Sequence, residues 1–144
     1  MLDPERFIKA ARTWLGTRWH HQGRSKKGGV DCIGLCLCVA QECGLDVQDI
    51  TGYSRRPEGS RLLAALQDRL LPVPLTEKAD GDIGLFREQG FPVHVGILST
   101  KNDSPSVIHA HAARRQVVEE ALAIFGNPFL VFRIREMQTW RHLH

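Results

Sequence analysis

Apolar residues recur at helical spacing as far as Leu70 and at strand spacing from Ile83 onward, with Pro72 and Pro74 at the changeover. A chain whose period switches once, from helices to a run of short strands, excludes both a helical bundle and an alternating βαβ sheet. It predicts an α+β fold with helices gathered on an antiparallel sheet. At 144 residues, without an internal repeat or a Pro/Gly linker, residues 1–144 read as a single domain.

Three helices are expected. Asp3 caps the first and Pro4 fits its first turn, and Phe7, Ala10, Ala11, Trp14 and Leu15 keep the period over 4–15 until Gly16. The second has Asp31 at its N-cap, the apolar run Cys32 to Cys43, and Gly44 as a terminating glycine. Its apolar character places it at the centre of the fold. Ser60 caps the third, which carries Leu62, Leu63, Leu66 and Leu70 before the prolines. Residues 16–30 have no period and read as an exposed glycine-rich loop. Strands are expected at 83–86, 93–98, 107–110, 116–118 and 130–134, with turns at Asn102-Asp103-Ser104-Pro105 and Gly126-Asn127-Pro128.

Nineteen basic residues against sixteen acidic ones give a net charge of +3, a mildly basic surface rather than a nucleic-acid footprint. No apolar run approaches the roughly 20 residues needed to span a bilayer. Met1-Leu2-Asp3-Pro4-Glu5-Arg6 lacks the basic and apolar regions of an export signal, and the first cysteine comes at 32. The expectation is a chain made in the cytoplasm and not inserted into a membrane.

The four cysteines, Cys32, Cys36, Cys38 and Cys43, crowd into twelve residues, whereas a disulfide framework spreads its cysteines to close large loops. On a helix, Cys32 and Cys43 lie about 16 Å apart along the axis, so the four sulfurs cannot share one zinc. Free thiols are expected. Cys36, Cys38 and Cys43 read as small buried hydrophobes. Cys32 stands at the helix N-terminus, where unpaired N–H groups and the dipole lower a thiol pKa, and it follows glycines that would admit a substrate backbone. Gly34 is expected to keep the helix surface open beside the sulfur.

A nucleophilic thiol needs a base in reach and a third group to orient it. His94 lies in the apolar run Val93-His94-Val95-Gly96-Ile97-Leu98, and a histidine there needs a partner. On the next strand His109 or His111, which share a face, could meet it by antiparallel pairing. His20, His21, His142 and His144 occupy a loop and the C-terminus and read as solvated. A zinc hydrolase built on His94, His109 and His111 has no His-Glu-x-x-His or paired-cysteine motif behind it, and no cofactor or metal is expected.

These residues fall in an order that resembles the NlpC-type cell-wall cysteine peptidase superfamily: Asp31-Cys32-Ile33-Gly34-Leu35, Gly81-Asp82-Ile83, His94-Val95-Gly96-Ile97 and Ile108-His109-Ala110, preceded by Trp14-Leu15-Gly16-Thr17. The resemblance runs from about residue 7 to 134. It implies a papain-like α+β fold, with the Cys helix packed on a C-terminal antiparallel sheet. It makes Cys32 the nucleophile, His94 the general base and acid, and His109 the residue that orients His94. The implied reaction is hydrolysis of the peptide stem of peptidoglycan, often between D-glutamate and a diamino acid, through an acyl-enzyme. Trp19, Asp31, Ile33 and Tyr53 form the implied substrate-binding set. Where the family commonly has Ser after the nucleophile and a Pro-Tyr pair before the glycine loop, this chain has Ile33 and Arg18-Trp19, which implies an altered pocket.

The Tyr53-to-Pro57 stretch, Phe132-Arg133-Ile134 and the absence of an export signal resemble the branch found in bacteriophage and gene-transfer-agent tails. That branch implies tail proteins as partners and delivery to the wall by the particle. Two other classes compete: an amidase or acyltransferase of the wider papain-like group acting on another acyl donor, and a tail or cell-wall binding module that does not cut.

Overall fold

The computed structural model describes residues 2–53, 59–88 and 91–137. Pro57, His142 and His144 therefore lie outside the described residues.

Helix α1 spans Pro4–Arg12, with Asp3 as its cap accepting from the Glu5 N–H at 3.0 Å. It ends three residues before the predicted 15. Thr13 turns its hydroxyl back to the Ala10 carbonyl at 2.6 Å, and Trp14 to Gly16 continue as turns that still bury Trp14. The loop 16–30, expected to be structureless, contains a small hairpin of β1 (Arg24–Ser25) and β2 (Gly29–Val30). Helix α2 spans Cys32–Glu42, and α3 spans Gly59–Arg69.

The remaining strands are β3 (Leu71–Val73), β4 (Ile83–Glu88), β5 (Phe91–Lys101), β6 (Ser104–His111), β7 (Gln116–Ala121) and β8 (Leu130–Arg133). They form one sheet in the order β3-β8-β4-β5-β6-β7, with every pair antiparallel. The α+β expectation holds, and each of the five predicted strands is present. In the sequence the prolines mark β3 only as the stop of a helix. Pro72 fits there because β3 is the sheet's edge, where the missing N–H costs no ladder bond. The β5–β6 turn is tighter than predicted. Asn102 and Asp103 alone make it, both at positive φ as a two-residue hairpin requires, and Ser104 and Pro105 already belong to β6.

The two faces of the sheet carry separate cores. One is large and joins Phe7 and Ala11 of α1, Leu35 and Val39 of α2 and Leu62 of α3 to Leu85, Val95, Ile97, Ile108 and Ala110 of the sheet. The other is small and joins Phe86, Leu98, Val107 and Val131 to Leu122 and Phe125 of a short helix, α4 (Leu122–Phe125). Strand alternation fixes the division: Val95 and Ile97 face the large core, while His94 and Leu98 face the small one. The Gly-Asp motif is structural. Asp82 is fully buried and takes a two-armed ion pair from Arg133 at 2.7 and 2.8 Å, which locks β4 to β8.

Candidate active site

The cysteine is positioned by the residue before it. Asp31 is the N-cap of α2, and its two oxygens accept from the N–H of Gly34 (2.8 Å), the N–H of Gln22 (2.7 Å), the Arg24 guanidinium (3.2 Å) and the Tyr53 hydroxyl (2.6 Å). Arg24 also donates to the Tyr53 oxygen at 2.9 Å. Three separate segments therefore converge on one 4 %-exposed carboxylate and fix the first turn of α2. Gly34 serves that convergence, not an open surface as expected. A Cβ there would lie 2.2 Å from the Gly23 carbonyl oxygen, so the glycine lets the loop close onto the helix. The loop glycines likewise pack on one another, since a Cβ at Gly23 would lie 2.2 Å from the Gly29 carbonyl oxygen.

His94 comes from the other side of the sheet. Strand β5 carries one extra residue where its register with β4 shifts between Phe86 and Arg87, which sets a bulge at Val93, immediately before His94. The β5–β6 ladder ends at Ile97 opposite Ile108, short of the histidines. Where it ends, Cys32 of the helix side and His94 of the α4 side line one cleft, together with Trp19, Asp31, Ile33, Tyr53, Glu88 and His111. The cleft thus gathers the predicted Cys32, His94, Trp19, Asp31, Ile33 and Tyr53, while His109 is fully buried and does not line it.

His94 Nε2 lies 2.7 Å from His109 Nδ1, and His109 Nε2 lies 2.8 Å from a carboxylate oxygen of Glu120. His111, left open as an alternative partner, instead places its Nε2 2.5 Å from Glu88. Phe125 of α4 packs against all three imidazoles, with centroid distances of 4.4 to 5.6 Å. The sequence spacing predicts a strand that stops at Val118, which leaves Glu120 outside it. The period-two continuation through Val118 to Glu120 was the signal that would have found it.

The thiol is not lowered as its helix position predicted. Burial, followed by the charge of Asp31, pushes Cys32 up to about 12, although the N–H groups of Val95 and Ile33 lie against the sulfur and pull the other way. Burial, helped by the neighbouring His109, His111 and Arg114, pushes His94 well below the ordinary histidine value. Both shifts favour the uncharged forms, a thiol and a neutral imidazole. All four cysteines are free, and burial also raises the Cys36 thiol one helical turn away. Among the described residues no group of three or more His, Cys, Asp or Glu side chains is arranged to hold a metal ion, and no helix is long and apolar enough to cross a membrane.

A scan against protein-family models finds no match, and a search of curated proteins finds none either. Solved structures do match. The NlpC/p60 domain of the peptidoglycan hydrolase SagA superposes with a TM-score of 0.68 at 17% identity, covering 92% of this chain and 100% of that one. The peptidoglycan hydrolase RipB of Mycobacterium tuberculosis gives 0.62 at 22% identity over 91% of this chain. An NlpC/P60 family protein of Bacillus cereus gives 0.68 at 20% over 91%. The chain spans 64% and 40% of the lengths of those last two. Its fold is the NlpC/p60 fold, as the motif order implied.

Proposed function

We propose that this NlpC/p60-fold chain is a cysteine endopeptidase that hydrolyses the peptide stem of bacterial peptidoglycan. The observation that carries the reading is the shared cleft: Cys32 at a helix N-terminus lines it with His94, whose Nε2 is engaged by His109. With Nε2 occupied, Nδ1 is the nitrogen left for the thiol. Two structural neighbours described as peptidoglycan hydrolases support the substrate class.

Since both shifts favour the uncharged forms, His94 is read as a general base during attack rather than as half of a standing ion pair. Sulfur adds to the scissile carbonyl as its proton passes to His94 Nδ1. The N–H groups of Ile33 and Val95 supply donors for negative charge developing at the sulfur. Collapse of the tetrahedral intermediate breaks the C–N bond, and the imidazolium gives its proton to the departing amine. Water, deprotonated by His94, then hydrolyses the thioester and returns the proton to the thiol.

The bond between D-glutamate and a diamino acid is the proposed target, on the strength of the motif resemblance. Buried Ile33, standing where the family commonly has Ser, and Trp19 form the cleft walls that would tune this preference. Asp31 and Tyr53 are the polar groups of the same wall. A place in a phage-type tail, made in the cytoplasm and carried to the wall by the particle, rests on the resemblance at Phe132-Arg133-Ile134 and is tested by probing purified particles for the chain.

Mass spectrometry of peptidoglycan and of isolated stem peptides, incubated with the wild type and with Cys32→Ala, tests the activity. New amine and carboxylate ends made by the wild type alone are expected, and the fragment masses name the bond. Intact substrate after incubation with a folded wild type overturns the reading in favour of a binding module. Acyl transfer without hydrolysis overturns it in favour of a transferase.

A further inference from the structure

Two imidazoles joined nitrogen to nitrogen are ambiguous, because either ring could carry the shared proton. If His109 donated from Nδ1, His94 would accept at Nε2 and hold its own proton on Nδ1, facing the thiol with nothing to accept. The base would then be disabled. The symmetry has to be broken elsewhere, and the far end of His109 is where the structure does so.

We infer that Glu120, pinned by Arg114, is a positioning residue that fixes the proton of His109 on Nε2 and thereby keeps His94 Nδ1 free to accept the thiol proton. The inference rests on the reading of Cys32 and His94 as nucleophile and base. Glu120 lies on β7 opposite Val107, on the sheet face that carries the histidines. Arg114 grips both its oxygens, at 3.2 Å from Nε and 3.0 Å from Nη2. Burial works against the charge on Glu120, but the hydrogen bonds from Arg114 and His109 outweigh it and hold the carboxyl below its ordinary value. An ionised carboxylate only accepts, so the 2.8 Å contact requires a proton on His109 Nε2. Burial keeps His109 neutral, against the pull of Glu120, so its single proton is accounted for and Nδ1 is an acceptor. His94 must then donate from Nε2, which leaves Nδ1 bare.

The same chain acts after proton transfer. When His94 becomes an imidazolium, Glu120 offers it a negative charge relayed through His109. The other titratable or charged groups around the histidines are Cys32 on α2, Glu88 on β4, His111 on β6 and Arg114 in the turn before β7. Of these, Glu88 is engaged with His111. Asp31 and Tyr53 complete the polar side of the cleft.

Long-range proton–nitrogen correlation on protein labelled with ¹⁵N-histidine reads each tautomer directly and needs no substrate. Nε2–H at both His94 and His109 is expected in the wild type. Glu120→Ala, and the nearly isosteric Glu120→Gln should the alanine variant fold poorly, are expected to admit the opposite tautomer at both rings. On stem peptide, kcat should fall by about 10²-fold with KM within about twofold, since a wrong tautomer at a triad histidine has costs up to about 10⁴-fold. A His109 Nδ1–H in the wild type, or an unchanged His94 tautomer in the folded variants, overturns the assignment. If the tautomers are as expected but no stem peptide is cut by the wild type, the proposed activity fails and the proton arrangement stands.

Discussion

His94 bonds to His109 although the strand register points it at His111. Ile97 faces Ile108, so counting back along β5 would set Gly96 against His109 and His94 against His111. The ladder stops before that pairing, the three rings cluster within 5.5 Å of one another, and Nε2 of His94 reaches diagonally to His109. Gly96 makes the diagonal feasible. A Cβ there would lie 2.4 Å from the Val107 side chain and 3.1 Å from the Cβ of His109.

Gly96→Ala is therefore expected to damage the site and the fold together. Val107 is buried and β-branched and has no room to yield, so overpacking should cost about 1–3 kcal/mol. Urea unfolding reads that loss. A stem-peptide assay should show kcat falling in the fraction that remains folded, because His109 is the second atom set pushed.

The pH profile should be broad. His94 is neutral down to well below 6.5, and Cys32 keeps its proton up to about 12. Activity should thus hold through the slightly acid range where an ordinary histidine would already be charged, and its alkaline limb should lie above the ordinary thiol value of 9.0. An acid limb in kcat/KM at or above 6.5 would show that burial does not depress His94 and would overturn this expectation.

Asp31→Asn separates cap from charge. Asn caps a helix about as well as Asp, so the first turn of α2 should survive. The variant removes the negative charge that helps to raise the Cys32 thiol, whose pKa should fall when followed by thiolate absorbance or alkylation rate. Asp31→Ala, in contrast, orphans the buried donors that converge on the carboxylate and should destabilise by about 2–4 kcal/mol.

Stability should decline in two steps as pH falls. His94 and His109 titrate lower in the native state than in the unfolded chain, so the unfolded state binds protons first. Stability is complete above about 6.5 and is lost progressively below it. Glu119 and Glu120 are held below 4.5, and their contribution is lost only as pH drops from there through their native values. Urea midpoints measured between pH 7.5 and 5 should slope downward, and His94→Gln should flatten that slope.

The parts of the site that sit in short motifs were legible in the sequence. Asp31, Cys32 and His94 each announce themselves through a local rule: a cap, a helix start, a histidine in an apolar strand. What was not legible depends on tertiary packing. The helix terminus is a local cue that predicts a lowered thiol, whereas the burial that overrides it is set by tertiary packing. Gly34 was read as an opening because nothing in the sequence shows that Gly23 folds back upon it. Glu120 required knowing that β7 runs on past Val118, and β3 required knowing that its proline lies on an edge.

Cys32 packs on the large core and the histidines lie against Phe125 of the small one, and they meet where the β5–β6 ladder ends. The imidazoles lean on Phe125 in a four-residue helix, a far lighter support than the layer of helices to which Cys32 belongs. Local opening follows the weaker support. Heat should therefore silence such a protein before it melts it: His94 drifts out of register while the cysteine helix is still in place, and cooling restores activity without any refolding of the main body.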